Sequence, residues 1–255
     1  MSQDIVTATA DGILQIRLNR PQKKNALTRE MYGTLEAAFN RANDEPRVKA
    51  IWITGSGDSF SSGNDVGSFL EEQAGDRLPG AGGFLHALAA LEVPLVAAVN
   101  GLAVGVGATM LLHCDIVHAA TGATFRFPFV DLGVFPEAAS TVLLPRLAGH
   151  QRAMELMLLA DSFDASAARD IGMVNDVFED KDLETESLRV TRRLTAKPSS
   201  SLRLTKARVK AGYGDLGAVI AEETPLFANA VRSPEAREAF NAFLEKRRPD
   251  FSQFD

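Results

Sequence analysis

The sequence predicts an α/β protein with an all-helical C-terminal region. Three observations carry this. Short apolar runs that read as strands alternate with helical patterns as far as residue 196. One of them, Val93 to Val99, is almost continuously apolar, as a strand covered on both faces would be. Beyond Ser201 the strand signal stops and three amphipathic helical stretches follow. The expected organisation is a core over residues 1–196 and a helical region over 197–255.

Leu14, Ile16 and Leu18 alternate with Gln15 and Arg17, the period of a half-buried strand, which ends before Pro21. Thr28 then offers an N-cap to a helix with Met31, Leu35, Ala38, Phe39 and Ala42 on one face. Arg47 to Thr54 reads as a second strand. Gly67 to Gly83, polar, glycine-rich and carrying Pro79, reads as a long loop that shapes the pocket. After Val93 to Val99, further strands are expected at Asp115–Ala119, Thr124–Phe127 and Val174–Phe178. Helices are expected near Gly107–His113, His150–Leu159 and Ala165–Ile171, the last capped by Asp164 and closed by Gly172. Ser233 and Pro234 open the final helix as cap and first residue.

Composition excludes several classes. A net charge of −6 and a pI near 5.3 argue against nucleic acid or an anionic membrane as partner. An anionic small ligand would instead need a local basic cluster, such as Arg20, Lys23, Lys24 and Arg29, or Lys197 to Lys210. The single cysteine, Cys114, excludes an internal disulfide framework and suits a reducing compartment, so a cytoplasmic location is expected. No apolar run is long enough to span a bilayer, and Met1 to Ala10 lacks the layout of a secretory signal. His86, His113, His118 and His150 lack zinc-ligand spacing. Neither a G-x-S-x-G elbow nor a phosphate loop is present. Gly105 to Met110 is close to a dinucleotide fingerprint, but Met110 replaces its third glycine and no acidic ribose reader follows at the required distance.

Two glycine-bearing turns follow strands: Phe60-Ser61-Ser62-Gly63-Asn64-Asp65-Val66 and Val99-Asn100-Gly101-Leu102-Ala103-Val104-Gly105-Val106-Gly107. Such turns can leave backbone N–H groups free, and two of them converging would form an oxyanion hole. On the residues alone, two ordinary strand-to-helix connections are the favoured reading.

These segments, together with L-N-R-P-Q-K-K-N-A-L (Leu18–Leu27), C-D-I-V-H-A (Cys114–Ala119), P-R-L-A-G (Pro145–Gly149) and K-R-R-P-D-F from Lys246, occur in an order that resembles the crotonase (enoyl-CoA hydratase/isomerase) superfamily. The resemblance implies a spiral of ββα units, a C-terminal helical region that packs homotrimers or dimers of trimers, and an acyl-CoA thioester as partner. It implies that the Asn64 and Val106 amides form the oxyanion hole. By the same resemblance Lys24, Ala26, Ser62, Gly63, Asp65, Val66, Val104 and Gly105 line the CoA path, with Asp65 tying down the first turn. CoA belongs to the substrate, and no metal or other cofactor is expected.

Hydratases of this superfamily place two glutamates where this chain has Thr109 and Phe129, and neither of these ionises near neutral pH. Pro128 to Thr141, P-F-V-D-L-G-V-F-P-E-A-A-S-T, instead resembles the Δ3,Δ2-enoyl-CoA isomerase branch, which implies Glu137 as a single proton shuttle. Phe129 and Pro136 are expected beside the substrate. Phe127, Phe129, Val134 and Phe135 are expected to desolvate the carboxyl. Asp131 is a candidate second acid, and Asp115 is expected to be structural. The alternative for Glu137 is a carboxylate favoured by a helix N-terminus.

Overall fold

The computed structural model describes residues 4–65 and 81–254. Strands β1 (Ile5–Ala10) and β2 (Ile13–Leu18) form an antiparallel hairpin through Asp11 and Gly12. An Asp-Gly pair between two strands is a strong hairpin signal. Helix α1 (Arg29–Asp44) follows, with Thr28 Oγ1 accepting the Met31 N–H at 3.3 Å. Its buried face is the expected one, with Tyr32 added. Each large apolar side chain so buried stabilises the fold by roughly 1.5–3 kcal/mol.

The spiral then repeats. Strands β3 (Ala50–Gly55) and β4 (Ser59–Ser61) precede α2 (Ala81–Ala89). Strands β5 (Leu95–Val99) and β6 (Leu102–Val104) precede α3 (Val106–Thr109), which runs on into a 3₁₀ turn over Met110–His113. Strands β7 (Ile116–Ala120) and β8 (Thr124–Arg126) precede α4 (Ser140–Ala148) and α5 (His150–Leu158). The first strand of each pair enters one sheet, ordered β1-β2-β3-β5-β7-β10, where β10 is Asp176–Phe178. The second strand of each pair enters another, ordered β4-β6-β8-β9, where β9 is Phe163–Asp164. Beyond the β1 hairpin the larger sheet is parallel, and β3 and β5 are buried along their whole length, which is why they read as apolar runs. The fold class is therefore the expected α/β spiral.

Helix α6 (Ala165–Asp170) is capped by Asp164, which accepts the Ala167 N–H at 2.8 Å. Helix α7 (Leu183–Thr195) is tied to the sheet by the Trp52 indole N–H, given to Ser187 Oγ at 2.9 Å. The C-terminal region comprises α8 (Ser199–Ala211), α9 (Leu216–Val231) and α10 (Pro234–Leu244), the last capped by Ser233 as expected. No described helix is long and apolar enough to cross a membrane.

One expectation is corrected at its end. Residues 67–80 of the long loop lie outside the described residues, but Ala81-Gly82-Gly83 open α2 rather than finishing a loop. Two glycines cost about 1 kcal/mol each in a helix. Burial of Phe84, Leu85 and Leu88 outweighs that, with Phe84 packed 5.3 Å from Tyr32 and 5.8 Å from Phe39, ring centre to ring centre.

Candidate active site

The two glycine turns meet. Gly63 has φ of +94°, and a side chain there would bring its first carbon within 2.9 Å of the Val104 carbonyl oxygen and 3.8 Å of Gly105 Cα. At Gly107 the same carbon would fall 2.6 Å from the Ser61 carbonyl oxygen. Glycine is thus required for β4 and β6 to bring their exits together. Asn64 follows the first glycine and Val106 follows Gly105. Leu27 bonds to the Gly63 carbonyl at 2.8 Å and to the Asp65 N–H at 3.0 Å, an arrangement that turns the intervening Asn64 N–H away from Leu27. Val106 is the first residue of α3, where a helix supplies no carbonyl for its own N–H.

The Asn64 turn is held from below. Asp65 pairs with Arg20 at 2.6 Å, and the same guanidinium donates to the Ala26 carbonyl at 3.2 Å. Buried Asn25 donates to the Ser56 and Ser59 carbonyls at 2.9 and 2.7 Å and accepts the Arg20 N–H. Lys24 and Asn25 adopt left-handed conformations in this corner, and the Lys24 carbonyl accepts the Ser62 N–H at 2.9 Å. The Lys24 ammonium is exposed, 3.6 Å from Asp58.

A cleft of about 140 Å³ opens beside the turns. Ser62, Gly63, Asn64, Val104, Gly105 and Phe129 line it, joined by Phe227, Phe240 and Phe243 from the C-terminal helices. A smaller cavity of about 40 Å³ shares Asn64 and Phe227 with it and contains Glu137. Glu137 is 4% exposed, and its Oε1 has no hydrogen-bond partner. Burial, and next the charge of Glu223, push its carboxyl up to about 8. A carboxyl of that basicity is suited to taking and returning a proton near neutral pH.

The turn carrying Glu137 is strained. Ala138 and Ala139 both lie in the left-handed region, at φ of +63° and +51°. Two side chains hold it there. His113 Nε2 donates to the Ala138 carbonyl at 2.7 Å, and its imidazole is kept neutral by burial, which pulls it down to about 4. Glu223, on α9, accepts the Ala139 N–H at 2.7 Å and the Thr141 hydroxyl.

The enoyl-CoA hydratase/isomerase family model matches residues 8–254. The chain belongs to the enoyl-CoA hydratase/isomerase family. It is 33% identical over 261 residues to 1,2-epoxyphenylacetyl-CoA isomerase of Escherichia coli K12, covering 99% of each chain. It is 34% identical to crotonyl-CoA hydratase of Syntrophomonas wolfei, with 98% of each covered. The crystal structure of an enoyl-CoA hydratase/isomerase from Pseudoalteromonas atlantica T6c superposes with a TM-score of 0.92 at 38% identity, over 98% of this chain and 100% of that one.

Within this family framework, the expected site residues fall into three groups. Asn64 and Glu137 share the small cavity, while Ser62, Gly63, Val104, Gly105 and Phe129 share the cleft. Val106 and Ala26 are buried and Asp65 is half-buried, and none of the three lines either space. Lys24 stands exposed at the corner below, and Pro136 is half-buried next to Glu137 in sequence without lining either space. Val66 lies outside the described residues.

Two expectations change. The apolar lining of the Glu137 cavity comes from Ala81, Leu85, Ala138, Ile220 and Phe227, not from the four residues expected to desolvate it. Phe129 and Val134 line the neighbouring cleft, and Phe127 stacks on Phe163 at 5.9 Å. Asp131 is exposed and paired to Arg126 at 2.5 Å, so it is not a buried second acid. The second carboxylate near Glu137 is Glu223, which sequence reasoning missed together with Tyr32 and His113. The signal for Glu223 was present: Leu216, Ile220, Glu223 and Phe227 fall on one helical face, where a glutamate interrupts an apolar stripe.

Asp115 takes the structural role expected of it. It accepts the Leu95 N–H at 2.7 Å and pairs with buried Lys206 at 2.6 Å. The 197–210 basic cluster is thereby partly consumed in packing, since Lys210 also donates to the Ala89 and Leu91 carbonyls.

Proposed function

We propose that the chain isomerises a 3-enoyl-CoA to the conjugated 2-enoyl-CoA, with Glu137 as the single proton carrier. The observation that carries this is a buried carboxyl with a free oxygen in a cavity it shares with Asn64, while Thr109 and Phe129 stand where a hydratase of this family needs acids. Thr109 is fully buried, and its hydroxyl has no partner.

In this mechanism ionised Glu137 takes a C2 proton, and the C–H electron pair moves into a dienolate whose negative charge rests on the thioester oxygen. The Asn64 and Val106 N–H groups hold that oxygen; one such donor is worth about 10²- to 10³-fold in rate. The same carboxyl returns the proton at C4, leaving the double bond between C2 and C3. Protons and electrons balance within the substrate, so no redox cofactor or metal enters. Phe227, Phe240 and Phe243 would cover the acyl-CoA and exclude water, which favours proton return over hydration.

The resemblance supports a homotrimer or a dimer of trimers, and exposed Leu158 and Leu159 at the end of α5 are apolar surface of the kind a second subunit covers. The cytoplasm is the proposed compartment, on the single cysteine. The test is a paired assay in which 3-hexenoyl-CoA and 2-hexenoyl-CoA are supplied separately and conjugated-enoyl absorbance is followed. A gain with the first and little change with the second supports isomerisation. Rapid loss of absorbance with the second identifies a hydratase.

A further inference from the structure

Glu223 has no part in the proton transfer just described, yet it is buried, ionisable and built into the wall of the same cavity. Like Glu137 it is 4% exposed. It comes from the C-terminal helix α9, more than eighty residues away in sequence, and meets the strained turn immediately after Glu137. One oxygen accepts the Ala139 N–H at 2.7 Å and the other accepts the Thr141 hydroxyl, so both oxygens are engaged. Glu137 lines the same cavity, and its buried Oε1 is engaged by nothing.

From this asymmetry we infer that Glu223 is a positioning residue for Glu137: with both oxygens tied to the turn beyond Glu137, it locks the left-handed Ala138–Ala139 conformation and places the better-bonded carboxyl of the pair beside the unbonded one. The inference rests on the isomerase reading of Glu137.

The electrostatic half follows from the hydrogen bonds. Burial raises both carboxyls, but the donors from Thr141 and Ala139 pull Glu223 back down, a correction Glu137 does not receive. Two buried carboxyls at close quarters take up their first proton at the site with fewer donors, here Glu137. Among the described residues the other titratable groups around Glu137 carry no charge near neutral pH. Tyr32 on α1 is raised well above its ordinary value, by burial first and then by Glu137 itself. His113, bonded to Ala138, is neutral above about pH 4. Glu223 is the remaining ionisable neighbour, and when ionised it makes Glu137 a stronger base than burial alone would.

The mechanical half follows from the turn. Two consecutive alanines at positive φ cost on the order of 1–3 kcal/mol each unless the surroundings hold them. An N–H bonded to a carboxylate is a strong restraint. Because Glu223 belongs to α9, which also contributes Ile220 and Phe227 to the cavity, docking of the C-terminal helices and alignment of Glu137 are one event.

The two halves separate in Glu223→Gln. A glutamine can still accept the Ala139 N–H through its oxygen and donate to Thr141 Oγ1 through its nitrogen, keeping the turn while removing the charge. Two readouts are used on the full chain. The first is the pH profile of kcat/KM with 3-hexenoyl-CoA. The second, independent of activity, is the titration of the ¹³C-carboxyl NMR signal that disappears in Glu137→Gln. The expected result is that the acidic limb and the NMR midpoint both move to lower pH by about one unit, with the affinity for CoA unchanged. Thr141→Val, which removes one donor and lets Glu223 protonate more easily, should shift both the same way by less. It also stands in should the glutamine variant fail to fold. Unmoved midpoints in the folded variants overturn the inference. A midpoint that moves in the variants while the wild-type protein has no isomerase activity would leave the coupling intact and reject the isomerase reading instead.

Discussion

The phenol of Tyr32 donates a hydrogen bond to the side-chain oxygen of Asn64, so a residue that lines both the cleft and the Glu137 cavity is fixed by a helix more than thirty positions earlier. Tyr32 is fully buried on α1 and packs against Phe84 of α2. The position of one peptide N–H thus depends on packing between two helices.

Removing that bond should cost rate rather than fold. Tyr32→Phe keeps the ring and its packing but frees the Asn64 side chain. The expected effect is a fall in kcat of about fivefold with KM within about twofold, since one hydrogen bond is worth about 1 kcal/mol. Steady-state kinetics with 3-hexenoyl-CoA measure it. An unchanged kcat would show that Asn64 is held by other means.

Glu137 also makes stability depend on pH. Its folded-state value, about 8, lies above the ordinary 4.5, so the folded protein binds more protons than the unfolded chain between those limits. Stability from this group should therefore be greatest below about pH 4.5 and decline as pH rises to about 8. The thermal midpoint of Glu137→Gln, measured over the same range, should lose that component of the slope and exceed the wild-type value at pH 8. Parallel slopes in the two proteins would contradict the burial argument.

The buried Lys206–Asp115 pair ties α8 to the start of β5 and β7. Its ammonium donates to Asp115 at 2.6 Å and to the Val93 carbonyl at 2.9 Å, with only 5% of the lysine side chain exposed. Lys206→Met removes the ammonium from both acceptors, leaving Asp115 only the Leu95 N–H, and should cost about 3–5 kcal/mol, read from the urea midpoint, with kcat of the folded enzyme unchanged. A cost below about 1 kcal/mol would mean that water replaces the ammonium.

Gly63→Ala should damage the site and the fold together. The added carbon would meet the Val104 carbonyl oxygen at 2.9 Å in a conformation that alanine rarely adopts. A destabilisation of about 1–3 kcal/mol is expected, together with a loss of most activity, as β4 and β6 separate. Full activity in this variant would mean that the two turns tolerate separation.

Most of the fold was legible because periodicity follows burial. The face of α1, the apolar β5 and the caps at Thr28, Asp164 and Ser233 are local features with local causes. Strand β1 was missed although Asp11-Gly12 marks its hairpin, because Ile5 is its sole buried residue and little periodicity results. Helix α2 was hidden by Gly82 and Gly83, whose poor propensity is overridden by packing on α1. At the site, Gly63 and Gly105 were readable as turns, but their contact depends on sheet register. The Tyr32–Asn64 and Glu223–Ala139 bonds join segments far apart in sequence, and only the glutamate interrupting the apolar face of α9 hinted at either.

The most direct measurement is the initial rate of conjugated-enoyl formation from 3-hexenoyl-CoA by wild-type protein and by Glu137→Gln, alongside the CoA affinity of each. Removal of the proton carrier should lower the rate by about 10²- to 10⁴-fold and leave CoA binding within about twofold. A Glu137→Gln protein that forms the product at the wild-type rate would contradict the account at its centre.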